Sequence, residues 1–108
     1  MEIIMVLCTV PDQACAERLA QAVLEARLAA CISCISPMVS WYYWQGVLQR
    51  QTELQLLLKS DSSRQVKLFN LLKENHPYQV PELIAWPIAN VERAYAAWVA
   101  ENLAQPSG

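Results

Sequence analysis

The sequence predicts an α+β fold of the ferredoxin-like, split β-α-β type, with a long hairpin between its second and third strands and an extra C-terminal helix. Two observations carry this prediction. Strand and helix patterns follow one another in the order β-α-β-β-α-β-α, and two long extended runs flank a single short turn. The expected sheet has the strand order 4-1-3-2, with every neighbouring pair antiparallel.

The composition predicts one domain over residues 1–108 that assembles with copies of itself. Hydrophobic residues make up 55% of the chain and charged residues 17%, which leaves little polar surface for a small domain on its own. The net charge of −2 provides no basic field for nucleic acid. No membrane span or secretory signal is visible, so we expect a cytoplasmic protein with reduced cysteines.

The first strand and helix follow from periodicity and from their boundaries. Residues 2–10 are apolar on both faces, which is typical of a central strand covered on each side. Pro11 and Asp12 then begin a helix that should run to about Leu28. Its expected inward stripe is Ala16, Leu19, Ala20, Val23 and Leu28.

The hairpin is the most distinctive part of the sequence. Its expected strands are residues 29–44 and 47–59, joined by a turn at Gln45 and Gly46. Alternation along a strand puts Trp41 and Tyr43 on one face and Tyr42 and Trp44 on the other. Because both faces are aromatic, we expect a second copy of the chain to cover one of them. The expected interface or inter-subunit cleft is formed by Trp41, Tyr42, Tyr43, Trp44, Gln45 and Tyr78.

The rest of the chain completes the pattern. Residues 61–63 should cap a second helix that ends at Asn75-His76, because Pro77 disfavours helical geometry before it. Its expected inward residues are Val66, Leu68, Phe69, Leu71 and Leu72. A strand over residues 82–88 and a last helix from Val91 to about Leu103, capped by Asn90, precede a frayed tail at residues 105–108.

Several motifs resemble the CutA family of divalent-cation tolerance proteins, and they occur in the same order over nearly the whole chain. The most specific is the run from His76 to Glu82, which reads His-Pro-Tyr-Gln-Val-Pro-Glu. The others are residues 8–12, residues 28–32, residues 43–46, Tyr95 and Trp98. The resemblance implies a ferredoxin-like protomer, a cytoplasmic homotrimer similar to PII signalling proteins, and a non-enzymatic link to copper and other divalent metals.

The expected metal ligands are Cys8, His76 and Glu82, which the topology brings to one edge of the sheet. Cys8 and His76 match family copper ligands, and a thiolate with an imidazole suits copper or zinc. Glu82 could add an oxygen ligand or orient the imidazole. The sequence departs from the family at Asn75, where some members carry a second histidine. Each residue also has a structural interpretation: Cys8 as a core residue, His76 as a helix cap and Glu82 as an ion-pair partner.

The sequence is also compatible with two other functions. A PII-like trimer could sense a small ligand in its inter-subunit clefts, and a trimeric scaffold could present its edges to a protein partner. Cys31 and Cys34 suggest a redox or zinc motif, but a strand places their sulfurs on opposite faces.

Overall fold

A computed structural model describes residues 1–104 of the chain and confirms the predicted order of elements. The tail predicted at residues 105–108 lies outside the described residues. The elements are β1 (Ile3–Val10), α1 (Gln13–Glu25), β2 (Cys31–Trp44), β3 (Val47–Asp61), a 3₁₀ turn (Ser62–Arg64), α2 (Gln65–Asn75), β4 (Leu83–Pro87) and α3 (Arg93–Ala104).

The four strands form one antiparallel sheet in the order β2-β3-β1-β4, which is the predicted order read from the other edge. β1 is the central strand, with β3 on one side and β4 on the other. Cys31 pairs with Lys59 and Cys34 with Leu56, so the two cysteines lie on opposite faces, as expected from their spacing.

Helices α1 and α2 pack on the same face of the sheet and form the main core with it. The helical contribution comes from Leu19 and Val23 of α1 and from Leu68 and Leu72 of α2, all fully buried. Helix α1 begins with the Asp12 carboxylate accepting from the Cys15 amide at 2.8 Å. It ends at Glu25 instead of Leu28, because Arg27 adopts a left-handed conformation with φ of 57°.

Helix α2 departs from the prediction at one inward residue. Val66 is 71% exposed, whereas the sequence placed it in the core. Leu68 and Leu72, one turn apart, define the buried stripe. Val66 lies two positions before Leu68 and so points to another side of the helix.

Helix α3 covers one end of the opposite face of the sheet. Val99 and Leu103 pack with Ile3, the first residue of β1. The prediction that Asn90 caps this helix is wrong: the Glu92 carboxylate accepts from the amides of Ala94 and Tyr95 at 3.0 and 2.9 Å. None of the helices within residues 1–104 is both long and apolar enough to cross a membrane.

The β2–β3 hairpin extends beyond the part of the sheet that the helices cover. Gln45 and Gly46 form its turn with φ of 50° and 81°, the pair of positive values that a tight hairpin turn requires. Pro37, which cannot donate a hydrogen bond to a neighbouring strand, lies in a register shift between Ile35 and Met38. Trp41 and Tyr43 are 64% and 72% exposed, and Tyr42 and Trp44 are 39% and 40% exposed. The expected alternation of faces is therefore visible in the exposure.

Candidate functional site

The candidate site lies at the edge of the sheet where β1 ends and β4 begins. Cys8 pairs with Leu83 across these strands. The next residue, Thr9, connects two of the predicted site residues. Its hydroxyl donates to the Glu82 carboxylate at 2.5 Å, and its carbonyl oxygen lies 2.8 Å from Nε2 of His76.

The His76 side chain connects the loop after α2 to the end of β1 through hydrogen bonds. Its Nδ1 accepts a hydrogen bond from the Tyr78 amide at 3.1 Å. Because the Thr9 carbonyl can only accept, Nε2 must carry the proton and donate to it. Both ring nitrogens are therefore engaged, and the neutral imidazole has no free lone pair for a metal in this arrangement.

Cys8 is fully buried in the core beneath α1 and α2. Burial, followed by the charges of Cys15 and Glu82, raises the pKa of its thiol from 9.0 to about 12. The thiolate is the form that binds metal, so burial disfavours the ligating state of this residue.

The three predicted ligands are neighbours along the same edge, but they do not converge on a common point. Within residues 1–104, no group of three or more His, Cys, Asp or Glu side chains is arranged to hold a metal ion. Asn75, which replaces a family histidine, donates its side-chain amide to the Leu71 carbonyl at 2.8 Å. The donor set does not fit a resident metal ion in this arrangement.

A cleft opens beside these residues, between the hairpin and the loop that follows α2. Its volume is about 700 Å³, within the range of small-molecule sites in proteins. Four of the residues predicted for the interface or cleft contribute to its walls: Trp41, Tyr42, Trp44 and Tyr78. The other two, Gln45 in the turn and the exposed Tyr43, are not part of its walls. Glu82 and Thr9 also line it, which joins the cleft to the sheet edge.

Glu53 is the residue of this site that the sequence reasoning missed. It is only 4% exposed, and its carboxylate accepts a hydrogen bond from the Tyr78 hydroxyl at 2.6 Å. Burial, followed by this hydrogen bond, raises the pKa of Tyr78. In the sequence, Glu53 occupies an ordinary polar position of an alternating strand. The only available signal was its place midway along β3, directly before Leu54, which pairs with Val10 at the end of β1.

The sheet order, the long hairpin and the cleft at the sheet edge define a ferredoxin-like α+β domain of the PII-like kind. The family model described as "CutA1 divalent ion tolerance protein" matches residues 4–102. The chain therefore belongs to the CutA1 divalent ion tolerance family.

Individual relatives agree with this assignment. The chain is 46% identical over 100 residues to the divalent-cation tolerance protein CutA of Pectobacterium atrosepticum, covering 93% of this chain and 91% of the relative. The solved divalent cation tolerance protein of Thermus thermophilus is 42% identical, with a TM-score of 0.89 over 93% of this chain and 97% of that one. CutA of Xylella fastidiosa is 30% identical, with a TM-score of 0.92 over 95% and 99% of the two chains.

Proposed function

We propose that the chain acts in divalent-cation tolerance as a cytoplasmic homotrimer and that its role is non-enzymatic. The observation that carries the trimer is the apolar surface that the helices leave uncovered. It comprises the outer hairpin and the sheet face opposite α1 and α2. On that face, Ile84 and Trp86 are 49% and 41% exposed, next to the half-buried Met5, Leu7 and Leu57. Such a surface is typical of an interface between subunits.

The sheet edges support a ring of copies. Within residues 1–104, β2 and β4 are the two edge strands of the sheet, so each chain presents two different unpaired edges there. When each copy contacts the next through a different surface, the assembly closes into a ring if the rotation between neighbouring copies is a whole fraction of a full turn. The family resemblance sets the proposed number at three.

We further propose that the chain binds copper. The contacts of the proposed ligands, Cys8 and His76, indicate how strong this binding should be. Binding by Cys8 and His76 requires the His76 ring to give up at least one of its hydrogen bonds to Thr9 and Tyr78. It also requires a buried thiol with a raised pKa to lose its proton. We therefore propose weak binding that accompanies opening of the loop after His76, with Glu82 as a further contact.

Copper titration of the reduced protein by calorimetry tests this proposal. We expect a dissociation constant weaker than about 10 μM, because loop opening and thiol deprotonation oppose binding. Replacing Cys8 with Ser and His76 with Gln together should abolish this binding while light scattering still reports a trimer. The exposed Cys34 provides the matched control: Cys34→Ser should leave binding at the site unchanged. Unchanged copper binding in the double variant would refute these ligands.

A second candidate function is favoured by the cleft of about 700 Å³. In a PII-like trimer this cleft would lie beside the subunit interface and could sense a small ligand. A bound ligand raises the unfolding free energy by about 2.7 kcal/mol at a hundredfold excess over its dissociation constant. A thermal-shift screen of cationic, neutral and acidic small molecules therefore tests this function. Failure of all three classes to raise the melting temperature would count against it.

A further inference from the structure

The charges that line the cleft have one sign. Among the described residues, its walls include the carboxylates of Glu53 and Glu82 but no Lys, Arg or His side chain. The remaining walls are aromatic, aliphatic or neutral polar. A ligand of negative charge would therefore be repelled, and a ligand of positive charge would be attracted.

Both carboxylates are held in place by neutral donors. The Tyr78 hydroxyl donates to Glu53, and the Thr9 hydroxyl donates to Glu82. These hydrogen bonds orient the carboxylates without neutralising them. Glu53 is only 4% exposed, yet it forms no ion pair: the only ion pair within residues 1–104 joins Arg64 to Asp61. A buried carboxylate is normally paired with a cation, so Glu53 lacks the expected positive partner within these residues, whereas Glu82 is exposed.

The aromatic walls suit a cation that carries an apolar body. Trp41, Tyr42 and Trp44 line the cleft opposite the loop after His76. Indole and phenol rings attract ammonium and guanidinium groups through their π faces. The molecule already contains such a contact, since the Arg50 guanidinium lies 5.6 Å from the centroid of the Trp41 ring.

A bare metal ion fits the cleft less well than an organic cation. A metal would require several converging ligands, and the described residues contain no group of three suitable side chains. An organic cation requires only one or two carboxylates for its charged end and apolar contacts for the rest. The volume of the cleft also exceeds the needs of a single ion.

We propose that the cleft binds a small organic cation, an amine or guanidine with an apolar body, whose charged group pairs with Glu53 and Glu82 between the aromatic side chains of the hairpin. This inference rests on the second proposed function, in which the cleft is a small-ligand site. It adds the chemical class of the ligand. It shares Glu82 with the proposed copper site but requires neither Cys8 nor His76.

A series of three probes of similar shape and different charge tests the proposal on the unaltered protein. The probes are 2-phenylethylammonium, 2-phenylethanol and 3-phenylpropanoate, and binding is followed by calorimetry and by tryptophan fluorescence. We expect the ammonium to bind at least about tenfold more tightly than the alcohol, and the carboxylate to bind most weakly, because charge complementarity decides the order.

Two substitutions test whether the carboxylates of the cleft cause the preference for a positively charged ligand. Glu53→Gln and Glu82→Gln each keep a hydrogen-bond acceptor for Tyr78 or Thr9 but remove a charge. Each should weaken ammonium binding by about tenfold and leave alcohol binding unchanged. The matched control is Glu74→Gln, an exposed carboxylate of α2 outside the cleft, which should not change ammonium binding.

The possible outcomes separate the two proposals. Equal binding of the alcohol and the ammonium would contradict the ligand class while leaving a small-ligand site in place. Absence of binding by all three probes would overturn the ligand class, and the thermal-shift screen would then decide the small-ligand function separately. Loss of the trimer in Glu53→Gln, with unchanged ammonium affinity, would show that a cationic side chain of a second copy occupies the site and would refute the proposal.

Discussion

The two faces of the sheet differ sharply in how well a single chain covers them. On the face beneath α1 and α2, Val6, Cys8 and Leu58 are completely buried. On the opposite face and along the outer hairpin, Trp86 is 41% exposed and Trp41 is 64% exposed. The same strands contribute to both faces, because neighbouring residues of a strand point in opposite directions.

This difference shows that the chain completes only part of its apolar packing alone. Helix α3 covers Ile3 at one end of the second face, but Ile84 and Trp86 remain accessible. The helix-covered face should therefore determine whether the chain folds, and the other face and hairpin should determine whether it assembles.

The largest expected effect comes from replacing Trp41 and Trp44 together with Ser. Covering one indole side chain at an interface buries on the order of 150–250 Å² of its surface. Removing both should convert the proposed trimer to monomers or aggregates, as measured by light scattering. Circular dichroism should still show the helices, which pack on the other side of the sheet.

The matched control for this variant is Val66→Ser on α2. Val66 is 71% exposed on the helical side and lies outside the proposed interface. It should leave the mass of the particle unchanged. A double tryptophan variant that remains a soluble, unaltered trimer would refute the role of the hairpin in assembly.

The next largest effect should come from Leu56→Ala in the helix-covered core. Leu56 is 1% exposed and packs among the buried residues of α1 and α2. A cavity at this position should lower the unfolding free energy by about 2–5 kcal/mol, as measured in urea. The exposed Val66→Ala should change it by less than about 0.5 kcal/mol. Equal effects of the two substitutions would contradict the assignment of the core.

The smallest expected effect concerns the start of α3. Hydrogen bonds from the Ala94 and Tyr95 amides lower the pKa of Glu92 from its ordinary value of 4.5. The contribution of these hydrogen bonds to the free energy of unfolding is present above pH 4.5, the ordinary pKa of the group, and is lost as the pH falls through the pKa of the folded state. Glu92→Gln should therefore lower the melting temperature slightly at pH 7, and the difference from the unaltered protein should disappear in acid. The exposed Glu101→Gln, on the same helix, should not reproduce this pH dependence.

Much of the fold could be predicted because its signals are local. Alternation in the strands, the stripe in α1 and the proline after His76 each act within a few residues, and together they give the observed order and sheet topology. The errors also have local causes. Asn90 and Glu92 are both plausible acceptors near the start of α3, and only the backbone geometry selects Glu92.

The site was harder to predict because its properties depend on contacts between distant segments. The sequence placed Cys8, His76 and Glu82 at one edge, but it could not show that Thr9 and Tyr78 engage both nitrogens of His76. Glu53 becomes buried only when the loop carrying Tyr78 folds over it, 25 residues further along the chain. Composition and periodicity carry no information about such contacts.

The most direct test of the account is the mass of the native protein by sedimentation velocity at low micromolar concentration. The uncovered face and hairpin predict that copies of the chain associate, and the family resemblance sets the expected mass of the particle at three times the 12.2 kDa of the chain. A stable, soluble particle of one chain would contradict the proposal that another copy covers these apolar surfaces.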